Sequence, residues 1–317
     1  MDRDQRWPDI PYPEWAPTCS ALHLWCQVVG KYKVARVPWL NHSWHVTFRT
    51  DTAGLATGLV DDAGGLEFRF DFRRHELIGS SAAGEQAGFP LESMSTAEFL
   101  DRFCKLVRKL GGNPEFDRLP NELADIIPFD EDVSPRPYDR EAVERFHRAL
   151  VSISLVLARF RSGFIGKCSP VQFFWGSFDL AVTRFSGRPA PIHPGGIPNL
   201  ADEIVREAYS HEVSSGGFWP GGGGVLEPCF YAYAYPAPDG FSGSDIAPEA
   251  AFFEDSLGEF LLPYQVVRRA DDPEGMLLEF LRSTYVAAAE LAQWDRAALE
   301  CPEGRAGLPR PLFSQAP

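Results

Sequence analysis

Residues 166–187 read GKCSPVQFFWGSFDLAVTRFSG, and the fold turns on how this run is read. From Val171 to Phe185 it is rich in aromatic and β-branched residues and reads as one strand. Side chains alternate across a strand, so Val171, Phe173, Trp175, Ser177, Asp179, Ala181, Thr183 and Phe185 share one face. Gln172, Phe174, Gly176, Phe178, Leu180, Val182 and Arg184 share the other. Neither face is wholly polar, which predicts cover on both sides. Asp179 then sits among aromatics, where a carboxylate is costly unless paired or hydrogen-bonded. Two readings follow: a structural pair with Arg184 or Arg188, or a carboxylate tuned for a pocket.

Upstream, Asp139 caps a helix with Phe146, Leu150, Ile153, Leu157 and Phe160 along one side. The repeat is too short for a coiled coil, so this is a core-facing helix. Gly163 and Gly166 lead from it into the central run. Downstream come a Pro-rich loop over 189–198, a short helix near 200–206, and strands near 207–214 and 229–235 separated by GGFWPGGGG. A strand is expected near 259–267 and a last helix over 273–297, with Leu277, Phe280, Leu281, Thr284, Tyr285, Ala288 and Leu291 at helical spacing.

Towards the N-terminus, residues 7–17 read as an extended lead-in. A helix over 19–29, opened by Thr18 or Ser20 and stopped by Gly30, precedes strands near 32–37, 44–49, 55–60 and 66–72. The last alternates Leu66, Phe68, Phe70 and Phe72 against Glu67, Arg69, Asp71 and Arg73, the mark of a half-buried antiparallel strand. Residues 79–90 read as a loop. Ser95 or Thr96 opens a helix carrying Phe99, Phe103, Leu106 and Leu110, which Gly111-Gly112 ends.

These elements predict an α+β fold, mainly antiparallel sheet with packed helices. The expected organisation is an N-terminal half over 1–112, a Pro- and acid-rich connector over 113–138, a C-terminal half over 139–300 and a tail over 301–317. The halves are expected to form one compact body, with Ile126, Ile127 and Phe129 docking the connector. Both halves run helix, strands, helix, and Val28-Val29-Gly30-Lys31 echoes Phe164-Ile165-Gly166-Lys167. A repeated α-β-α unit with a cleft between the halves is one reading; chance is the other.

Composition narrows the partners. The 317 residues are 44% hydrophobic and 13% aromatic, ample for a core. A net charge of −14 disfavours nucleic acid, whose phosphates call for Lys and Arg, and equally an anionic membrane surface. MDRDQRWPDIPYPEW lacks the apolar centre of a signal peptide, and no apolar run reaches the ~18 residues of a membrane span. The six cysteines make no CxxC pair, which argues against a zinc cluster, and their scatter favours reduced thiols. The expectation is a soluble cytoplasmic protein with no metal or cofactor and an open oligomeric state.

The runs NHSWHV, GKCSPVQFFWGSFDLAVTRFSG, EAYSHEV, GFWPG, FYAYAYP, LGEFLLPYQVV and STYVAAAELAQWDR together resemble a family of uncharacterised bacterial proteins catalogued as a domain of unknown function. The resemblance spans about residues 7–300. It implies one family-wide domain and carries no activity, cofactor or catalytic residue.

The chemistry must therefore come from the residues. His211 and Glu212 lie in EAYSHEVS, facing opposite ways; His211 is a candidate general base, or a satisfied core histidine. His45 and His211 with one carboxylate would make a two-His-one-acid metal site, but no HExxH or HxH spacing requires it. Ser177 in Trp-Gly-Ser-Phe-Asp lacks the second glycine of a nucleophile elbow. Gly30-Lys31 and Gly166-Lys167 lack the glycines of a P-loop. The glycines of 221–224 read as a flexible loop, and Gly216 to Pro220 as a pocket rim. Tyr231, Tyr233 and Tyr235 share a strand face, suited to stacking on a ligand or to core packing.

The reading that joins these residues is an enzyme acting on a small molecule in a polar, aromatic-walled cleft between the halves. Asp179, His211 and Glu212 are its catalytic candidates; Lys167, Trp175, Trp219, Tyr233 and His45 are its ligand-binding candidates. Asp179, His211 and Trp219 are expected to border one common cavity. The alternatives are a non-catalytic ligand-binding module and a structural or partner-binding protein.

Overall fold

The computed structural model describes residues 3–310 apart from 124–125 and 223–224, with Arg3 described in its backbone alone. Two glycines of the 221–224 run and the end of the 301–317 tail thus lie outside the described residues. A short α1 (Arg3–Arg6) leads to the long α2 (Tyr12–Val34), followed by a 3-10 turn at Asn41–Ser43. Five strands come next: β1 (Arg49–Thr50), β2 (Gly54–Ala56), β3 (Leu66–Asp71), β4 (Glu76–Ser81) and β5 (Gln86–Pro90). Then come α3 (Thr96–Lys109), α4 (Arg140–Ser162), β6 (Gln172–Phe174), β7 (Asp179–Pro189), α5 (Asp202–Ala208), β8 (His211–Trp219) and β9 (Cys229–Tyr235). The chain closes with β10 (Phe252–Glu254), β11 (Glu259–Pro263), α6 (Tyr264–Arg269), α7 (Pro273–Leu291) and α8 (Arg296–Leu299). The fold is α+β: two antiparallel sheets with packed helices. The first sheet is a five-stranded meander, β1-β2-β3-β4-β5; the second has six strands in the order β10-β11-β9-β8-β7-β6.

The central run is not one strand but a hairpin. β6 and β7 pair through Phe174↔Asp179, Phe173↔Leu180 and Gln172↔Ala181, so Trp175 to Phe178 form the turn. Phe178 takes the left-handed conformation, φ 59°, that closes it. The turn resets the alternation. Phe174, not Phe173, shares a face with Asp179, Ala181, Thr183 and Phe185. Arg184 points to the opposite face, and Arg188 binds Glu212 at 2.6 Å. Neither arginine pairs with Asp179.

The helix expected over 19–29 begins earlier and ends later. Proline is tolerated in a first helical turn, where its missing N–H has no partner to lose, so Pro13 falls within α2, and the second part of the Pro-rich lead-in, from Tyr12 through the interior Pro17, is already helix. Gly30 does not stop it. α2 is buried nearly all round, against α3, α4 and the β6–β7 turn, and this packing carries it to Val34, into the stretch expected as a strand at 32–37. A Cβ on Gly30 would stand 2.3 Å from the indole of Trp175, so the glycine marks a close approach.

The segment expected as a loop at 79–90 holds β4 and β5, whose small residues pair along β3: Phe68↔Gly79 and Gly79↔Ala87. GGFWP is mostly strand. Gly216 lets α7 approach one face, where a Cβ would meet Leu281 at 2.7 Å; Gly217 leaves room on the other. The stretch 259–267 starts as β11 and turns helical at Tyr264.

One hydrophobic cluster contains residues of both halves, from Trp25, Phe68 and Phe99 to Phe146, Phe218 and Leu281. Phe48 and Phe173 exchange backbone hydrogen bonds of 2.8 and 2.9 Å, linking the two sheets at one point. In the connector Phe129 is fully buried, while Ile126 and Ile127 are exposed. Val28–Lys31 lie inside α2, whereas Phe164–Lys167 form the turn before β6, so the echoed tetrapeptides occupy unlike structure.

Candidate functional site

The front face of the second sheet is the floor of a cleft of about 730 Å³. Strand register places its side chains in rows. Ala181, Gly217 and Tyr231 lie abreast, as do Thr183, Ser215 and Tyr233. Glu259 stands next to the Phe260↔Ala232 pair, at the edge of the Tyr233 row. Gly217 has a specific role here. A Cβ on it would come within 2.5 Å of the Tyr231 hydroxyl. Without that carbon, the Tyr231 ring lies across β8 and its hydroxyl donates to Asp179 on β7. Ser177 in the hairpin turn donates to the other Asp179 oxygen. Thr183 and Ser215 bond at 2.8 Å, Tyr209 and Tyr233 at 3.0 Å. Trp219 packs on Tyr231 at 5.1 Å, and Tyr231 stacks on Tyr233.

The opposite wall comes from α2, the 3-10 turn, the connector and the segment around α5. Gln27 clamps the backbone of Asn121 with two hydrogen bonds, 2.9 and 2.7 Å. Lys31 holds Asp117 at 2.6 Å and the Asn121 side chain at 2.7 Å. These anchors bring Glu122 into the cleft, in a left-handed conformation with φ 60°. Its carboxylate lies against Gly176, where any Cβ would clash with it. The Glu122 N–H donates to Pro198 O, and Asn199 donates to Leu123 O at 2.6 Å, tying the 190–201 segment over the site.

The cleft thus gathers three carboxyls: Asp179, Glu122 and Glu259. Burial pushes the Asp179 carboxyl up to about 6, against the opposing pull of its Ser177 and Tyr231 hydrogen bonds. Burial, then the nearby Asp179 charge, raises Glu122 to about 7 and Glu259 to about 8. One Glu259 oxygen is buried with no partner among the described residues. Groups that change protonation near neutrality in a cleft suit general acid–base work.

The sequence candidates separate. Asp179, Trp175, Trp219 and Tyr233 line the cleft. His211 does not: it opens β8, opposite Pro189, eight residues along the strand from Trp219. At about 3.4 Å per residue the two ends of β8 are more than 25 Å apart, which is why His211 and Asp179 do not meet. Glu212 faces the other way, bound to Arg188 and bordering a small pocket of about 190 Å³ with Ala288 and Trp294. Lys167 stands behind the wall. Its ammonium donates to His42 Nε2 at 2.6 Å, between the rings of Trp44 and Phe185, and burial lowers its pKa. His42 lines the cleft, with Nδ1 donating to Ala208 O at 2.8 Å. His45 lies just outside, its ring 4.4 Å from that of Trp39, its Nε2 buried without a partner. Ser177 spends its proton on Asp179. Among the described residues no group of three His, Cys, Asp or Glu converges as a metal site.

The sequence reading missed Glu122, Glu259 and His42. Glu122 sits in a connector rich in acids, where one acid does not stand out. Glu259 has a signal in its alternation with Leu261, which places it opposite the core-facing Phe260 and Leu262.

Fold and cleft define a class: an α+β protein of two antiparallel sheets with an acidic, aromatic-walled cavity on the second. The chain matches the family model described as "Family of unknown function (DUF5996)" over residues 7–301, and it belongs to that family. No curated protein and no solved structure matches it.

Proposed function

We propose that the protein is an enzyme acting on a small molecule in the cleft over β7, β8, β9 and β11. The observation that carries this is the gathering of Asp179, Glu122 and Glu259, all raised towards neutrality, in one cavity of about 730 Å³. That volume suits a metabolite-sized ligand. The roles follow from surroundings. Asp179, with the lowest pKa and two hydroxyl donors, is the base. Glu259, raised to about 8 and so mostly protonated at neutral pH, or Glu122, raised to about 7 and so about half protonated there, is the acid. Trp175, Trp219, Tyr231 and Tyr233 supply the walls. A binding module without turnover uses the same cleft and is the alternative. The setting is read as a bacterial cytoplasm, supported by the likeness to bacterial proteins and by six unbridged cysteines. The charge of −14 leaves nucleic acid and membrane out of this reading.

The test is incubation of the purified protein with a metabolite extract, followed by mass spectrometry of the small molecules. Turnover of one compound by the parent and not by Asp179→Asn supports the enzyme. A compound retained unchanged by the parent and lost by Asp179→Asn establishes the binding module. Neither turnover nor retention overturns the site.

A further inference from the structure

Charge accounting in the cleft points to one kind of ligand. Of the cationic side chains on its wall, Lys31 is committed to Asp117 and Asn121. His42 accepts from Lys167 and donates to Ala208, so it is neutral. Among the described residues no uncommitted cation lines the cleft beside Glu122, Asp179 and Glu259. Of the hydroxyls, Tyr231 and Ser177 donate to Asp179, while Thr183 with Ser215 and Tyr209 with Tyr233 share one hydrogen bond per pair. At the carboxyls themselves, what remains open in the ionised form is acceptor capacity. The Glu122 carboxylate makes no hydrogen bond among the described residues although it is set deep in the cleft and faces it, and one Glu259 oxygen is buried without a partner. A ligand that only donates, and brings positive charge, completes the set. Among the described residues the three carboxyls form no metal-binding group, so the cation is read as an organic one. The stacked Tyr231 and Tyr233 and the adjacent Trp219 present ring faces beside them, which attract organic cations.

We infer that the ligand is an organic amine, its ammonium group held among Glu122, Asp179 and Glu259 and its apolar body laid along Trp219, Tyr231 and Tyr233. This rests on the cleft being the working site and adds the ligand's charge and shape. Binding a cation there draws the carboxyls into their ionised form, so protons leave as the amine arrives. The other titratable groups facing the cluster are Lys31 from α2, Asp117 from the connector, Tyr209 from the end of α5 and Tyr231 and Tyr233 from β9; His23 stands behind Gly176.

The experiment is calorimetric titration of the whole protein with three probes of one shape: 2-phenylethylamine, 2-phenylethanol and 3-phenylpropionate. A second set compares 1,4-diaminobutane with 1,4-butanediol. Titration near neutral pH in two buffers of different ionisation heat counts the protons released. The expectation is that an amine binds at least about 10-fold tighter than its neutral partner, with net proton release, and that Glu122→Gln and Glu259→Gln each weaken it by about 10-fold. Both variants keep side-chain shape, and thermal melts confirm that they fold. Equal or better binding of the alcohol or the carboxylate overturns the amine and leaves the cleft standing. Binding of no amine, while the metabolite extract yields a retained or converted compound, does the same. Amine binding unchanged in both Gln variants moves the ligand away from these carboxyls and also overturns the inference.

Discussion

Gly30→Ala sets two physical rules against each other. In an isolated helix interior the change stabilises by about 1 kcal/mol, because alanine loses less backbone entropy. Here the added carbon would stand 2.3 Å from two atoms of the Trp175 indole and 2.5 Å from its nitrogen. Real carbons do not approach so closely, so the ring or the helix must give. Trp175 is only 3% exposed and stands in the hairpin turn beside Gly176, against which Glu122 packs. Overpacking of this kind costs about 1–3 kcal/mol. The net expectation is a loss of up to about 2 kcal/mol, or a melting temperature lower by up to about 5 °C in a chain of this size. Urea unfolding of parent and variant measures it. Trp175→Phe makes room for the carbon, so the double variant should recover part of the loss, read as a coupling energy in a double-mutant cycle. A Gly30→Ala protein more stable than the parent would refute the reasoning, because helix propensity would then outweigh the contact.

Three further outcomes follow from the same geometry. Glu259 is raised from 4.5 to about 8, so the folded state keeps a proton that the unfolded chain loses between those values. Its contribution to stability is present below the lower value and lost as pH rises through the upper. Glu259→Gln should match the parent at about pH 4 and exceed it by about 1–3 kcal/mol by about pH 9, read from melts across pH; a constant gap refutes this. His211→Ala should weaken ligand retention in the cleft much less than Asp179→Asn, since the residue stands at the other end of β8 from Asp179 and touches the cleft wall through the ring of His42; an equally large loss would contradict the placement. Arg184 is buried over the rings of Phe160 and Tyr285; a terminal nitrogen donates to Phe160 O, and its Nε has no partner among the described residues. Arg184→Met should therefore be near neutral in stability while Arg184→Ala costs about 2–4 kcal/mol from the cavity; equal large losses in both would show that the charge itself is needed.

The sequence by itself determined what is local or periodic. Asp139 and Ser95 cap their helices because an oxygen beside a free N–H needs only adjacent residues. β3 and β9 follow from strict alternation, and the α+β class follows from such elements in sum. Asp179 was legible as an acid inside an aromatic run. The tertiary structure decided what depends on partners distant in the chain. A four-residue turn in the central run moved Phe173 off Asp179's face, a change of register that composition does not encode. Gly30 reads as a stop signal until Trp175 is seen against it, and Gly217 reads as a loop residue until the Tyr231 ring crosses it. The acid partner of Asp179 from the connector, Glu122, is placed by Gln27 and Lys31 on a helix about 90 residues earlier. Burial of a charged group is a property of the assembled walls, so only the fold could turn three ordinary acids into a tuned cluster.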